Sequence, residues 1–66
     1  MQTVHLKKSH DFAIFIENHG GSWFEISGQG RVALTPGRYI SASDAKDKIQ
    51  RLRSMGYKRQ QLASDS

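Results

Sequence analysis

The feature that most constrains this chain is an alternation of apolar and other side chains between residues 11 and 35, interrupted at two glycine-rich points. Apolar residues of one parity recur in three successive runs, namely Phe12, Ile14 and Ile16, then Phe24 and Ile26, then Val32 and Leu34. Residues two apart on a strand share one side of a sheet. The pattern therefore predicts a three-stranded antiparallel meander with one strongly apolar side.

The glycine-rich segment 19–21 sets the register of the first two strands. A three-residue loop there places Ile16 opposite Phe24, whereas a two-residue loop places Ile16 opposite Glu25. A slip of one residue would send half of the apolar side chains to the other side of the sheet, so we predict the three-residue loop. Gly21 then supplies the positive φ that commonly ends such a turn.

The same reasoning applied to residues 28–30 predicts a second three-residue loop, with Ile26 opposite Val32 and Phe24 opposite Leu34. The third strand should end at Pro36, because proline cannot donate to the hydrogen-bond ladder. Residues 3–8 also alternate, and they predict either a fourth strand or a pairing arm.

One helix is expected after the meander, from residue 42 to residue 55. Ser41 and Asp44 have the spacing of a capping box, with Asp in place of the usual Glu. Apolar residues then recur at helical spacing, at Ala42, Ala45, Ile49, Leu52 and Met55. Gly56 suits the left-handed position that ends a helix, with Tyr57 folding back onto Leu52.

The predicted fold is α+β, a three-stranded antiparallel meander over residues 11–35 packed on one C-terminal helix, with residues 3–8 as a fourth strand or arm. All 66 residues belong to one domain, and the polar residues 58–66 are expected to fray. A domain of this size buries only about 60% of the surface that its unfolded chain exposes. Its core is therefore thin, and a deep catalytic cavity is not expected.

Two further features of the composition narrow the class of protein. The chain has no cysteine, which excludes disulfides and thiolate metal sites. The longest apolar run, residues 12–16, is far too short to span a membrane or to form the core of a signal peptide, so we expect a cytosolic protein.

The segment GRVALTPGRYISASDAKDKI, residues 30–49, resembles part of the small YegP-like bacterial domains, whose repeating unit is a β-meander followed by a helix. The strand 12–16 and its glycine-rich turn are similar to the first hairpin of that unit. The resemblance rests on Gly30, Tyr39, Ser41, Ala45 and Ile49. That family implies a fold and no established activity. The layout is also similar, more distantly, to the sheet and helix of AP2-type and integrase-arm domains, which lay an open sheet face in the DNA major groove.

With the helix on the apolar side, the other side of the sheet is predicted to be uncovered. By the predicted register it carries Ala13, Phe15, Glu17, Trp23, Glu25, Arg31, Ala33 and Thr35. Large aromatic residues on an uncovered sheet are typical of contact surfaces. We therefore predict a protein-binding or self-associating module with Phe15 and Trp23 as anchors and with Glu17, Glu25 and Arg31 as the polar rim. The alternative is that residues 3–8 fold across this surface.

Nucleic-acid binding is the second predicted function. A net charge of +4 and a pI near 9.9 permit either nucleic acid or an acidic protein as partner. The best candidates for phosphate contacts are Arg31 and the basic cluster at the helix end, made of Arg51, Arg53, Lys58 and Arg59. Glu17 and Glu25 would repel phosphate, which weakens the similarity to DNA-reading sheets. In either case a compact chain of this kind can serve as a regulator or inhibitor of a larger machine, and mobile elements often encode small regulators of this sort.

No catalytic, cofactor or metal site is predicted. Ser9-His10-Asp11 has the residue types of a hydrolase triad, but neighbours on a strand point to opposite sides. The three histidines lie on separate segments, so zinc ligation is not expected. Residues 28–30 lead into a strand, whereas a phosphate-binding glycine loop opens onto a helix. Glu17 and Glu25 share a side, but an open sheet leaves both too exposed for acid–base chemistry. We expect a non-enzymatic protein without a small-molecule substrate.

Overall fold

The computed structural model describes residues 1–34 and 36–60, and over these residues the protein is α+β, as predicted. In chain order the elements are β1 Thr3–Lys8, β2 Asp11–Glu17, a 3-10 turn His19–Gly21, β3 Ser22–Gln29, β4 Val32–Ala33, β5 Arg38–Ser41, α1 Ala42–Ser54 and β6 Lys58–Gln60. The strands form one antiparallel sheet in the order β4-β3-β2-β1-β6, and β5 also pairs with β3.

The first hairpin has the predicted register. Ile16 lies opposite Phe24, and Ile14 lies opposite Ile26. The backbone N–H of Asn18 donates to the Ser22 carbonyl at 2.8 Å, which leaves residues 19–21 as the loop, and the last of them, Gly21, has a φ of +88°. The alternation of apolar residues was therefore sufficient to determine how β2 and β3 pair.

The second hairpin differs from the prediction. Val32 lies opposite Gln29 instead of Ile26, so the loop contains two residues, Gly30 and Arg31. Gly30 has a φ of +62°, which suits a two-residue hairpin loop because such loops need positive φ to match the twist of the strands. Val32 therefore shares a side of the sheet with Gln29, whereas the sequence predicted that it shares a side with Ile26.

Gly28 belongs to β3, although the sequence placed it in the second loop. A Cβ at this position would collide with the Val32 carbonyl oxygen and would lie 2.7 Å from the Cα of Ala33. The absence of a side chain therefore lets β4 approach β3 closely. The glycine serves pairing within the sheet rather than the turn.

A strand that the sequence did not predict, β5, pairs with the first half of β3. Tyr39 lies opposite Phe24, and Ile40 lies opposite Trp23. The prediction that Leu34 lies opposite Phe24 is therefore wrong, and Thr35 lies outside the described residues. An unpaired β3 would expose its backbone N–H and C=O groups, and β5 satisfies these groups at that edge.

Both ends of the described chain join the sheet. Residues 3–8 form strand β1, which pairs with β2 so that Val4 lies opposite Phe15. The expectation that the tail frays from residue 58 is wrong for residues 58–60, because they form β6 and pair with β1. Residues 61–66 lie outside the described part of the chain.

The helix begins and ends with the predicted signals. At its start, the Ser41 hydroxyl oxygen accepts a hydrogen bond from the backbone N–H of Asp44 at 3.1 Å. At its end, Gly56 has a φ of +104°, and the backbone N–H of Tyr57 donates to the Leu52 carbonyl at 3.0 Å. This is the hydrogen bond that defines a Schellman motif, so both caps were readable from local sequence.

The helix covers the side of the sheet opposite to the predicted one. The buried core consists of Val4, Leu6, Ala13, Phe15, Trp23 and Ala45, against which Ile40, Ile49 and Leu52 pack. Strands β1 and β5 contribute apolar side chains to this side of the sheet. The prediction compared the two sides over residues 11–35 alone and therefore did not include them. Ala13 and Ala45 are also small and buried, so they allow the helix and sheet to approach closely.

Candidate protein-docking face

Phe15 and Trp23 do not lie on an uncovered surface, and the prediction that they anchor a partner is wrong. Phe15 is 0% exposed and Trp23 is 7% exposed. Both belong to the core cluster, and the α1 residues Ile49 and Leu52 pack against that cluster. These rings stabilise the fold and are out of reach of another molecule.

The predicted polar rim is also not assembled. Glu17 lies opposite Trp23 and Glu25 lies opposite Phe15, so both carboxylates point to the helix side of the sheet. Glu17 Oε1 accepts a hydrogen bond from the backbone N–H of Gln2 at 2.9 Å. Arg31 is exposed in the β3–β4 loop. The two carboxylates therefore do not border the side of the sheet that the helix leaves free.

The side of the sheet that α1 does not cover, called the open face from here on, consists of three rows that run across the strands. The first row is Tyr39, Phe24, Ile16 and Thr3. The second is Ile26, Ile14, His5 and Gln60. The third is Ala33, Gly28, Phe12, Lys7 and Lys58. No described helix or strand packs over these rows.

Most of the side chains on the open face are apolar. Its large apolar side chains are Phe12, Ile14, Ile16, Phe24, Ile26 and Tyr39, and they come from three neighbouring strands. Tyr39 is 71% exposed, the other five side chains are half-buried, and the Phe24 ring lies close to Gly37 just before β5. The Tyr39 ring meets the Phe24 ring edge-on, with 4.9 Å between the ring centroids. Apolar side chains gathered on one side of a small domain are typical of contact surfaces.

One border of the open face is basic. Lys7 and Lys58 lie directly opposite each other in β1 and β6, and His5 is the next residue of β1 on the same side. Among the described residues of the open face none is acidic, because Asp11, Glu17 and Glu25 have the parity of the helix side. The face therefore combines an apolar centre with a positively charged edge.

The basic cluster predicted at the helix end does not form one surface. Lys58 and Arg59 are neighbours in β6, so they point to opposite sides of the sheet, with Arg59 opposite Leu6. Arg51 borders a cleft between α1 and the sheet, and Arg53 is exposed in the last turn of α1. Nucleic-acid binding through these residues stays a prediction.

Glu25 forms an ion-pair cluster where α1 meets the sheet. Its carboxylate accepts hydrogen bonds from Arg38 Nε at 2.9 Å and from Lys48 Nζ at 2.9 and 3.0 Å, and its side chain is 15% exposed. Burial alone would raise its pKa, but the hydrogen bonds and charges of Lys48 and Arg38 outweigh burial and lower the pKa below its ordinary value of 4.5. The expectation that Glu25 lies exposed on an open sheet is thus wrong, because its carboxylate is largely buried beside α1.

Since the lowered pKa of Glu25 belongs to the folded state, this carboxylate contributes stability above about pH 4.5 and loses that contribution as the pH falls through the folded pKa. We expect Glu25→Gln to reduce the free energy of unfolding by about 1–2 kcal/mol at pH 7, discounted for the exposure of Arg38, and by progressively less below pH 4.5. Urea unfolding at pH 7, 4.5 and 3 measures the difference. Asp47→Asn on the exposed surface of α1 is the matched control, and an equally pH-dependent loss there would contradict the assignment.

A cleft of about 310 Å³ lies next to this cluster. Its lining includes the small residues Ala13 and Ser27, which face each other across β2 and β3, together with Lys48, Arg51 and Tyr57. The small side chains leave room under the last turns of α1. Glu25 also borders the cleft, but its carboxylate accepts hydrogen bonds from Arg38 and Lys48 and is therefore not free to act as a base.

The residues weighed for catalysis and metal binding are spread over the sheet. Ser9 and His10 form the β1–β2 turn, His5 lies on the open face and His19 lies in the β2–β3 connection. Within residues 1–34 and 36–60, no three His, Cys, Asp or Glu residues are close enough together to hold a metal ion. No helix in the same residues has the length and apolar character of a membrane span.

Comparison with protein-family models, with curated proteins and with solved structures finds no match for this chain. The resemblance to the YegP-like domains stays a prediction for that reason.

Proposed function

We propose that the protein is a non-enzymatic interaction module that binds another protein through its open face. The observation that carries the proposal is the set of six large apolar side chains on a side of the sheet over which no described element packs. A second function is not proposed, because the basic residues considered for nucleic acid do not share one surface.

Burial of this face supplies the free energy of binding. Apolar area removed from water stabilises a complex by roughly 25 cal/mol per Å², before the costs of association are subtracted. The Phe24–Tyr39 pair is the natural anchor, because aromatic side chains dominate interface energetics and Tyr39 is already exposed. Strands paired on both sides hold the central residues in place, so little conformational entropy is lost on binding.

The arrangement suits a regulator or inhibitor of a larger machine. One side of the 66-residue chain is devoted to its own core, and the opposite side is free to occupy a surface on another molecule. A rigid face that blocks a partner's surface needs no reactive group. The Glu25 carboxylate is held by Arg38 and Lys48, which supports a structural role for that cluster rather than acid–base chemistry.

The proposal is tested by site-specific photo-crosslinking in the cells that make the protein. Replacing Tyr39 by p-benzoylphenylalanine should yield a discrete adduct with another protein, whereas the same replacement of Lys46, exposed on α1, should not. Ile14→Thr combined with Ile26→Thr should remove the adduct, because it makes the centre of the open face polar while keeping β-branched side chains.

A matched variant, Val32→Thr combined with Met55→Thr, likewise replaces two apolar side chains, but these lie outside the open face. It should leave the adduct intact. Equal adducts from positions 39 and 46, or an adduct that survives Ile14→Thr with Ile26→Thr, would contradict the proposal. An adduct with the mass of two copies of this chain would show self-association instead.

A further inference from the structure

Resting on the proposed function, we infer that the partner presents carboxylate groups beside an apolar surface, and that these groups meet Lys7 and Lys58 at the edge of the open face. The partner is an acidic protein segment rather than a second copy of this chain.

The first observation is the Lys7–Lys58 pair itself. The two residues are direct cross-strand partners, and like charges in that position destabilise a sheet. Neither forms an ion pair with any described residue. The neighbouring Lys8 is used differently, since its Nζ donates to the Met55 carbonyl at the end of α1 at 2.7 Å. Lys8 is thus used in a hydrogen bond within the fold, whereas Lys7 and Lys58 on the open face remain available to a partner.

The second observation is the separation of acidic from basic side chains. The register places the strand carboxylates of Asp11, Glu17 and Glu25 on the helix side, and Asp44 and Asp47 lie on α1. The described open face therefore has cations at one edge and no carboxylate to compensate them. A second copy packed face to face would bring the same cations and no counter-charge, so charge complementarity favours an acidic partner.

The centre of the face indicates protein rather than nucleic acid. Sheets that bind single strands offer aromatic platforms on which bases stack. Here the second row is led by Ile26 and Ile14, with Ile16 next to them in the first row. Branched aliphatic side chains pack against other apolar side chains. The rings of the open face, Phe24 with Tyr39 in the first row and Phe12 in the third, lie on either side of this aliphatic row and do not form one continuous stacking platform.

The spacing of the strands sets the geometry of the partner segment. Phe12, Lys7 and Lys58 occupy successive strands of the third row, and neighbouring strands are about 4.8 Å apart. A carboxylate that reaches either lysine therefore lies about 5–10 Å from an apolar group seated beside Phe12. An extended segment covers that distance in about two or three residues.

The experiment is selection of binders from a displayed library of random 12-residue peptides on the immobilised chain. Selected peptides should combine Asp or Glu with aromatic or aliphatic residues two or three positions away. Lys7→Gln combined with Lys58→Gln should weaken their binding by about tenfold, measured by fluorescence anisotropy, and should reduce its salt dependence. Lys46→Gln combined with Arg53→Gln, exposed on α1, is the matched control and should change the affinity little.

The outcomes separate this inference from the proposed function. In one outcome, the variant with Ile14→Thr and Ile26→Thr no longer binds the peptides, but the variant with Lys7→Gln and Lys58→Gln still does. This result would overturn the acidic partner and would leave the open face as the docking surface. Peptides that ignore both pairs of changes would overturn both. A library without binders, a dimer of the free chain in sedimentation equilibrium, or tighter binding of a labelled oligothymidine to the same face would each overturn the inference.

Discussion

Replacing Phe15 by alanine is expected to lower the free energy of unfolding by about 3–5 kcal/mol, because the ring is fully buried between the sheet and α1. A domain of 66 residues has a total stability of only roughly 3–10 kcal/mol. The variant should therefore be largely unfolded or close to it at 25 °C, as measured by circular dichroism and urea titration. Phe15→Leu should lose much less, and it provides a measurable midpoint if the alanine variant does not fold.

Tyr39→Ala is the matched control for this prediction. It also removes an aromatic ring from a strand that pairs with β3, but the ring is on the open face and is mostly exposed. We expect a loss of about 1 kcal/mol or less. A larger loss at position 39 than at position 15 would mean that the helix covers the other side of the sheet, and it would remove the basis for the docking face.

Leu6→Ala is expected to cost about 2–5 kcal/mol, because Leu6 is 0% exposed and lies in the core beside Ala13. The prediction concerns β1, which sequence alone left open as a strand or an arm. A peripheral arm would tolerate the change, whereas a strand paired on both sides would not. Urea unfolding followed by tryptophan fluorescence measures the loss, since Trp23 belongs to the same core.

His5→Ala is the control within the same strand. His5 precedes Leu6 and points to the open face, where its ring lies 6.3 Å from that of Phe12. Its removal should cost about 1 kcal/mol or less. Similar losses for Leu6→Ala and His5→Ala would show that β1 does not contribute a buried side chain, and would restore the interpretation of residues 3–8 as an arm.

Local sequence signals predicted several parts of this protein correctly. The alternation around residues 19–21 gave the register of β2 and β3, and Ser41 and Gly56 gave both ends of the helix. These features depend on residues close together in the chain. A hairpin register is decided by parity and loop length, and a helix cap is decided by one side chain or one backbone angle.

The errors concern features that depend on distant residues. The sequence did not indicate that β5 and β6 would join the sheet, because each is only four or three residues long and partly polar. The second hairpin was misplaced because Gly28 was interpreted as a turn residue, whereas it makes room for β4. The candidate site was misplaced as well. Phe15 and Trp23 were predicted as its anchors because the helix was expected to cover the other side of the sheet.

The sequence by itself determined which side chains of β2 and β3 share a side of the sheet, since that follows from a period of two along each strand and from the length of the loop between them. It did not determine which side the helix covers, because parity is symmetric between the two sides. That choice depends on Val4, Leu6 and Ile40, which reach the core only through pairings made across the chain, and on the small residues Ala13 and Ala45. The tertiary structure therefore decided that Phe15 and Trp23 are core and that Phe24 and Tyr39 face outward.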